Sequence, residues 1–141
     1  MEAATVLVVD DNQGFVRAAR AILEDIFAVH TVENGADALA FLERRPPFGE
    51  APRPAFVVLD FHLPDMDAPT VLRRLGDDAV LRLIPVLVLS QADWEEDQAA
   101  ARAAGARQFR VKPSRVLALR ETVLDFWKAY GDAGIDPAHR G

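Results

Sequence analysis

The sequence contains no cysteine. That excludes a disulfide framework, thiolate catalysis and any cysteine metal site. It has no basic run, and its net charge is −6. This is a poor balance for gripping nucleic acid, where phosphate neutralisation dominates affinity. The longest apolar runs, such as Thr5–Val9 and Ile84–Leu89, fall far short of the ~20 residues that a membrane span needs. The first residues, Met-Glu-Ala-Ala-Thr, lack the basic start and apolar stretch of a secretion signal. Histidine is scarce, and His30, His62 and His139 are too scattered for a metal triad. The expectation is a cytoplasmic chain with no nucleic-acid partner and no membrane contact.

What is present reads as one globular domain. The chain has 141 residues, 50% of them hydrophobic and 27% charged, which is enough apolar material to close a core without suggesting disorder. Thr5-Val-Leu-Val-Val9 is a short β-branched run and reads as a buried strand. Phe15, Ala18, Ala19, Ile22, Leu23 and Ile26 then recur at helical spacing behind Asn12, a plausible cap. Ala28–Val32 reads as a second strand and Ala36–Arg45 as a second helix. The stretch Pro46–Pro54 holds four prolines in nine residues and reads as a loop.

The alternation continues to the end. Phe56–Leu59 is a third strand and Pro69–Leu75 a short helix. Ile84–Leu89 is a fourth strand, with Pro85 at its start. Asp93–Ala104 is a helix with an acidic first turn, ended by Gly105. Gln108–Val111 is a fifth strand, and Val116, Leu119, Val123, Trp127 and Tyr130 form the stripe of a last helix. Five strands alternating with five helices predict an α/β fold, a doubly wound parallel sheet with helices on both faces. Residues 1–130 form that domain, and 131–141, rich in Gly, Asp and Pro, read as a flexible tail too short for an effector.

In such folds ligands sit beyond the carboxyl ends of the strands. The first strand ends in Asp10-Asp11, the third in Asp60, the fourth in Ser90 and the fifth in Lys112-Pro113. Three carboxylates, a hydroxyl and a lysine suit a Mg²⁺ ion and a phosphoryl group. Each residue also has a plainer reading. Asp10-Asp11 serves as cap and dipole partner, Ser90 opens a turn, and Lys112 is a solvated surface lysine. Four separate strand ends carrying matching chemistry by accident is a much rarer event than any one of these.

The motifs Val-Leu-Val-Val-Asp10-Asp11-Asn, Val-Val-Leu-Asp60-Phe-His-Leu-Pro64-Asp-Met66-Asp67, Pro-Val-Leu-Val-Leu-Ser90 and Gly105-Ala-Arg-Gln-Phe109-Arg-Val-Lys112-Pro113 resemble the CheY-like response-regulator receivers, a flavodoxin-like family. The resemblance covers roughly residues 5–130. It implies that Asp60 accepts a phosphoryl group from a histidine kinase and also binds the metal. It implies that Asp11 binds Mg²⁺ directly, Asp10 through water, and His62 by its backbone carbonyl. Ser90 would hydrogen-bond the phosphoryl oxygens. Lys112 would pair with Asp60 beside a cis peptide at Pro113, and Phe109 would be an aromatic switch that moves inward with Ser90. A further likeness, in Pro52-Arg-Pro54, Ile84-Pro-Val and Phe126-Trp127, is to stand-alone regulators paired with phytochrome-type kinases.

Some positions depart from the pattern. Ala68 stands where the family commonly has glycine, and a positive φ there would cost an alanine about 1 kcal/mol. Gln91 follows Ser90, where a long side chain would partly cover the pocket. His62 and Ala92 flank the site at positions that tune hydrolysis in the family. Leu117, Leu124 and Phe126 lie off the core stripe of the last helix, and Trp94 opens the fourth. They read as scattered surface hydrophobes or as a homodimer face made by the fourth and fifth helices. Output would be protein contact in a two-component system, as switch or phosphorelay shuttle, with self-catalysed phosphotransfer and no external turnover. Two rivals are a Mg²⁺-dependent aspartyl phosphatase and a phosphorylation-independent interaction module. The first places its nucleophile on the first strand with a second Asp two residues on, whereas Asp60 closes the third strand and is followed at that spacing by His62.

Overall fold

A computed structural model describes residues 3–131. The order is β1 (Thr5–Val9), α1 (Gln13–Leu23), β2 (Ala28–Val32), α2 (Gly35–Glu43), β3 (Phe56–Asp60), α3 (Ala68–Gly76), β4 (Val86–Ser90), α4 (Glu95–Ala104), β5 (Gln108–Val111) and α5 (Val116–Phe126). A 3₁₀ turn, Leu81–Leu83, precedes β4, and a π-helical turn, Trp127–Gly131, extends α5. All strand pairs are parallel, in the order β2-β1-β3-β4-β5. The order reverses between β1 and β3, so the crevice above those two strands is where a ligand site forms. This is the doubly wound sheet expected from the alternation.

Side-chain alternation along the strands builds two cores. Leu7, Val9, Val57, Leu59, Val86 and Val88 face α2, α3 and α4. Val6, Val8, Phe56, Val58, Leu87 and Leu89 face α1 and α5. Every residue of β3 and β4 is buried, as a strand covered on both faces requires. Asn12 caps α1 as expected, its side chain accepting the Phe15 N–H at 2.9 Å.

Several boundaries shift for local reasons. The second helix stops at Glu43 because Arg44 adopts a left-handed conformation, φ 55°. The fourth strand begins at Val86, since Leu81–Leu83 turn and Pro85 contributes only its carbonyl, which accepts Val57 N–H at 3.0 Å. The fourth helix begins at Glu95, after Trp94 in extended geometry. Gly105 ends it with φ 117°, where a Cβ would be strained. Ala68 carries no such strain. It is the first residue of α3, fully buried, and Arg44 is the non-glycine residue with positive φ among the described ones. Asp67 supplies the cap below it, so a glycine is not needed there.

The stripe of α5 also needs correction. Leu119, Val123 and Phe126 are the buried residues, at spacings of four and three, while Val116 is 47% exposed. Phe126 does not lie on an open face; its ring packs against Phe56 and Tyr130. Leu124 is part-buried against the same core. Of the three residues assigned to an open face, Leu117 alone is strongly exposed, at 73%. Residues 132–141, which hold nearly all of the expected tail, lie outside the described residues.

Candidate functional site

The strand ends converge as the topology demands. Asp10 follows β1 and its N–H bonds the Val32 carbonyl at 3.1 Å, which extends the β1–β2 ladder by one residue. Its carboxylate accepts the Asn12 N–H at 2.9 Å, so it makes the turn into α1 and still faces the crevice. Asp60 is the last residue of β3 and Ser90 the last of β4. Lys112 is anchored by its N–H to the Ser90 carbonyl at 2.7 Å. Asp10, Asp60 and Ser90 are the buried polar residues among those described, and Asp11 is exposed at the rim.

Carboxylate oxygens of Asp10, Asp11 and Asp60 all lie within 4.8 Å of one another. Crowding of this kind works against ionisation. Burial, then the neighbouring Asp10 charge, push the Asp60 carboxyl up to about 6; Lys112 opposes them, Asp11 adds to the rise, and the His62 N–H pulls it down slightly. A second cation would relieve the repulsion. Oxygen-only donors, two of them buried and one open to water, fit a hard divalent ion such as Mg²⁺, which keeps part of its water shell.

Lys112 faces Asp60 as expected and has a second, closer partner. Its ammonium lies 2.7 Å from Asp10 and 4.0 Å from Asp60, so Asp10 is its direct partner. The expected cis bond at Pro113 is not there. The cis peptide among the described residues joins Pro46 and Pro47, and Pro113 is trans, the form favoured by X-Pro bonds when nothing overrides it. Phe109 is already inside, 6% exposed, with its ring edge-on to Phe61. Gln91 is exposed. The His62 backbone is held by a bridge to Asp67, and its side chain stands in solvent 3.8 Å from Asp97 of α4.

Two contacts had no local signal in the sequence. Asp65, in the loop after β3, accepts the N–H groups of Gly35 and Ala36 at 2.8 and 2.9 Å. It thereby caps α2 from 30 residues away and ties that helix to the loop carrying His62. Slight burial pushes its carboxyl up, but these N–H groups outweigh it and hold it below the ordinary range. Phe15, expected only as a core position of α1, places its ring 4.4 Å from the Lys112 ammonium.

Comparison with known proteins agrees with this geometry. Residues 6–124 match the response regulator receiver domain family, and the chain belongs to it. Among its relatives is the response regulator PleD of Caulobacter vibrioides, 36% identical over 111 residues, which are 78% of this chain and 23% of PleD. Another is the response regulator Rcp1 of a Synechocystis species, 30% identical over 95 residues, 65% of each chain. The chain therefore spans about a quarter of PleD and about two thirds of Rcp1. The phosphorylated cyanobacterial phytochrome response regulator RcpA superposes with a TM-score of 0.85 at 26% identity, covering 96% of this chain and 99% of that one. A Mn²⁺-bound form of Rcp1 gives 0.78 at 25% identity, covering 88% and 91%.

No helix among the described residues is long and apolar enough to cross a membrane.

Proposed function

We propose that this receiver is a phospho-switch in which Asp60 accepts a phosphoryl group from a histidine kinase. The Asp60 carboxylate attacks phosphorus, the bond from phosphorus to the kinase imidazole breaks, and an acyl phosphate forms on the side chain. The chemistry asks for positioning and charge neutralisation rather than a general base. The observation that carries the reading is the pairing of a buried, strand-end Asp60 with an ammonium 4.0 Å away. That ammonium is close enough to reach a phosphoryl oxygen added there. Asp11 and Asp60, with Asp10 and the His62 carbonyl, would hold Mg²⁺. When bound, the ion would offset the charge of the incoming group.

Phosphorylation adds charge and three acceptor oxygens. Lys112, 4.0 Å from Asp60, and Ser90, at the end of the strand beside it, are the donors that would meet the added group, and Phe109 of β5, three residues before Lys112, is the ring their movement would disturb. The shift in population would then alter the α4–α5 side. The kinase would be a phytochrome-type photoreceptor, a reading supported by the likeness to RcpA and Rcp1, and both proteins would be cytoplasmic.

The test is intact-mass spectrometry after incubation with acetyl phosphate and Mg²⁺. The expected result is one phosphoryl adduct on the wild type, dependent on Mg²⁺ and absent from Asp60→Asn. An adduct that survives in the variant would overturn the assignment. No adduct at all, repeated with candidate kinases, would favour an interaction module that works unmodified.

The same samples address output. Of the residues assigned to a homodimer face, Trp94 just before α4 and Leu117 of α5 are strongly exposed, at 61% and 73%, and these two would carry the contact. Sedimentation velocity is expected to show a dimer that strengthens on phosphorylation and is lost in Leu117→Glu. A monomer under both conditions would remove the dimer from the proposal.

A further inference from the structure

A lysine carries its charge on a flexible four-carbon stem, and holding that charge in one place requires several contacts. Lys112 leaves β5 at an edge strand, yet its side chain is 8% exposed. Asp10 holds the ammonium from one side at 2.7 Å. The ring of Phe15 covers it from another, 4.4 Å from nitrogen to ring centroid. The backbone that carries the ring is fixed by the Asn12 cap, which accepts the Phe15 N–H at 2.9 Å, and the side chain packs against the core under α1 and α5. Phe15 also forms one wall of a cleft of about 190 Å³ whose other walls include Gly14, Pro113 and Leu119.

We propose that Phe15 is a positioning residue for the phosphoryl-transfer reaction, acting through Lys112. This rests on the phosphoacceptor reading of Asp60. The negative face of the ring attracts the ammonium, and its bulk excludes water from it. Asp10 and the ring together hold the nitrogen 4.0 Å from Asp60, beyond a direct hydrogen bond and on the side where an added phosphoryl oxygen would stand. A donor already in place contributes more to the transition state than one that must be gathered from solvent. Leucine at this position keeps the apolar contact with α5 but offers no π face. Tyrosine keeps both.

The experiment compares wild type, Phe15→Leu and Phe15→Tyr. The first measurement is the rate of adduct formation with acetyl phosphate at saturating Mg²⁺. The second is the proton NMR position of the Lys112 ε-methylene, assigned by its loss in Lys112→Arg. In the wild type the methylene is expected upfield, shifted by the ring current. Phe15→Leu is expected to slow phosphorylation by about threefold to tenfold and to return the methylene to its solvent-exposed position. Phe15→Tyr is expected to restore both to within about twofold of wild type. Equal rates for wild type and Phe15→Leu would overturn the proposal, as would a Phe15→Tyr variant slowed as much as Phe15→Leu. If the wild type itself takes no phosphoryl group, the reading of Asp60 fails first, and this proposal with it.

Discussion

In metal-free buffer at pH 7, Asp60→Asn is expected to resist unfolding by about 3 kcal/mol more than the wild type. Burial first, and then the charge on Asp10, raise the Asp60 carboxyl from its ordinary 3.8 to about 6. The folded state therefore holds this proton more tightly than the unfolded one. Below 3.8 the group is protonated in both states and contributes nothing. As pH rises from 3.8 towards 6, the unfolded chain loses the proton while the folded chain keeps it, and stability falls. Above about 6 the cost is complete, because the folded chain carries an ionised Asp60 beside Asp10 and Asp11.

Asparagine has the shape and no charge, so the variant escapes that cost. Subtracting its unfolding free energy from that of the wild type cancels the other carboxylates. The difference should be near zero at pH 3.5, open between pH 4 and 6, and stay flat above pH 7 by this reckoning. Saturating Mg²⁺ should narrow it, since an ion held by the acidic trio supplies the missing countercharge. Urea titrations at several pH values check this. A difference that does not vary with pH, or a variant less stable than the wild type at pH 7, would show that burial and the neighbouring carboxylates do not raise the Asp60 carboxyl in the folded chain.

Much of the candidate site is legible in the sequence because its residues stand at strand ends. Parallel strands buried on both faces must be short, apolar and β-branched, and they must end where polarity begins. Asp60, Ser90 and Lys112 each stand at such an edge, so the fold alone brings them together. What the sequence could not supply was the choice among partners once they met. Lys112 was assigned to Asp60, but Asp10 lies closer because its backbone continues the β1–β2 ladder by one residue and aims its carboxylate inward. The Asp65 cap on α2 joins residues far apart in the chain, and no local pattern announces it. The expected stripe of α5 is right at Leu119, Val123, Trp127 and Tyr130, but it begins one turn early at exposed Val116 and is drawn too narrow to include Phe126, which is three residues after Val123 and buried beside it. Ala68 was judged by a family habit, whereas its own backbone, as first residue of α3, accommodates a side chain without strain.

Among variants that keep Asp60, a large kinetic effect is expected from Lys112→Met. The substitution removes a buried ammonium 2.7 Å from Asp10 and 4.0 Å from Asp60. One consequence is structural. Asp10, 1% exposed, would be left without its cationic partner, and breaking a buried pair from one side costs about 3–5 kcal/mol. The other is chemical. Lys112 is the charged group that opposes the rise of the Asp60 carboxyl, so its loss would push that carboxyl further up and leave less nucleophile at neutral pH. It would also remove a donor aimed at the phosphoryl oxygens, an effect on the order of a hundredfold in rate. These consequences separate in a double variant. Adding Asp10→Asn to Lys112→Met removes the orphaned charge and should return most of the lost stability. It cannot return the donor, so phosphorylation by acetyl phosphate at saturating Mg²⁺ should stay on the order of a hundredfold slower than in Asp10→Asn alone, which shares the altered metal site. Raising the pH to 8.5 should recover only the share due to protonation of Asp60. A double variant that is both stable and within about threefold of the Asp10→Asn rate would mean that Lys112 serves to neutralise Asp10 and takes no part in transfer.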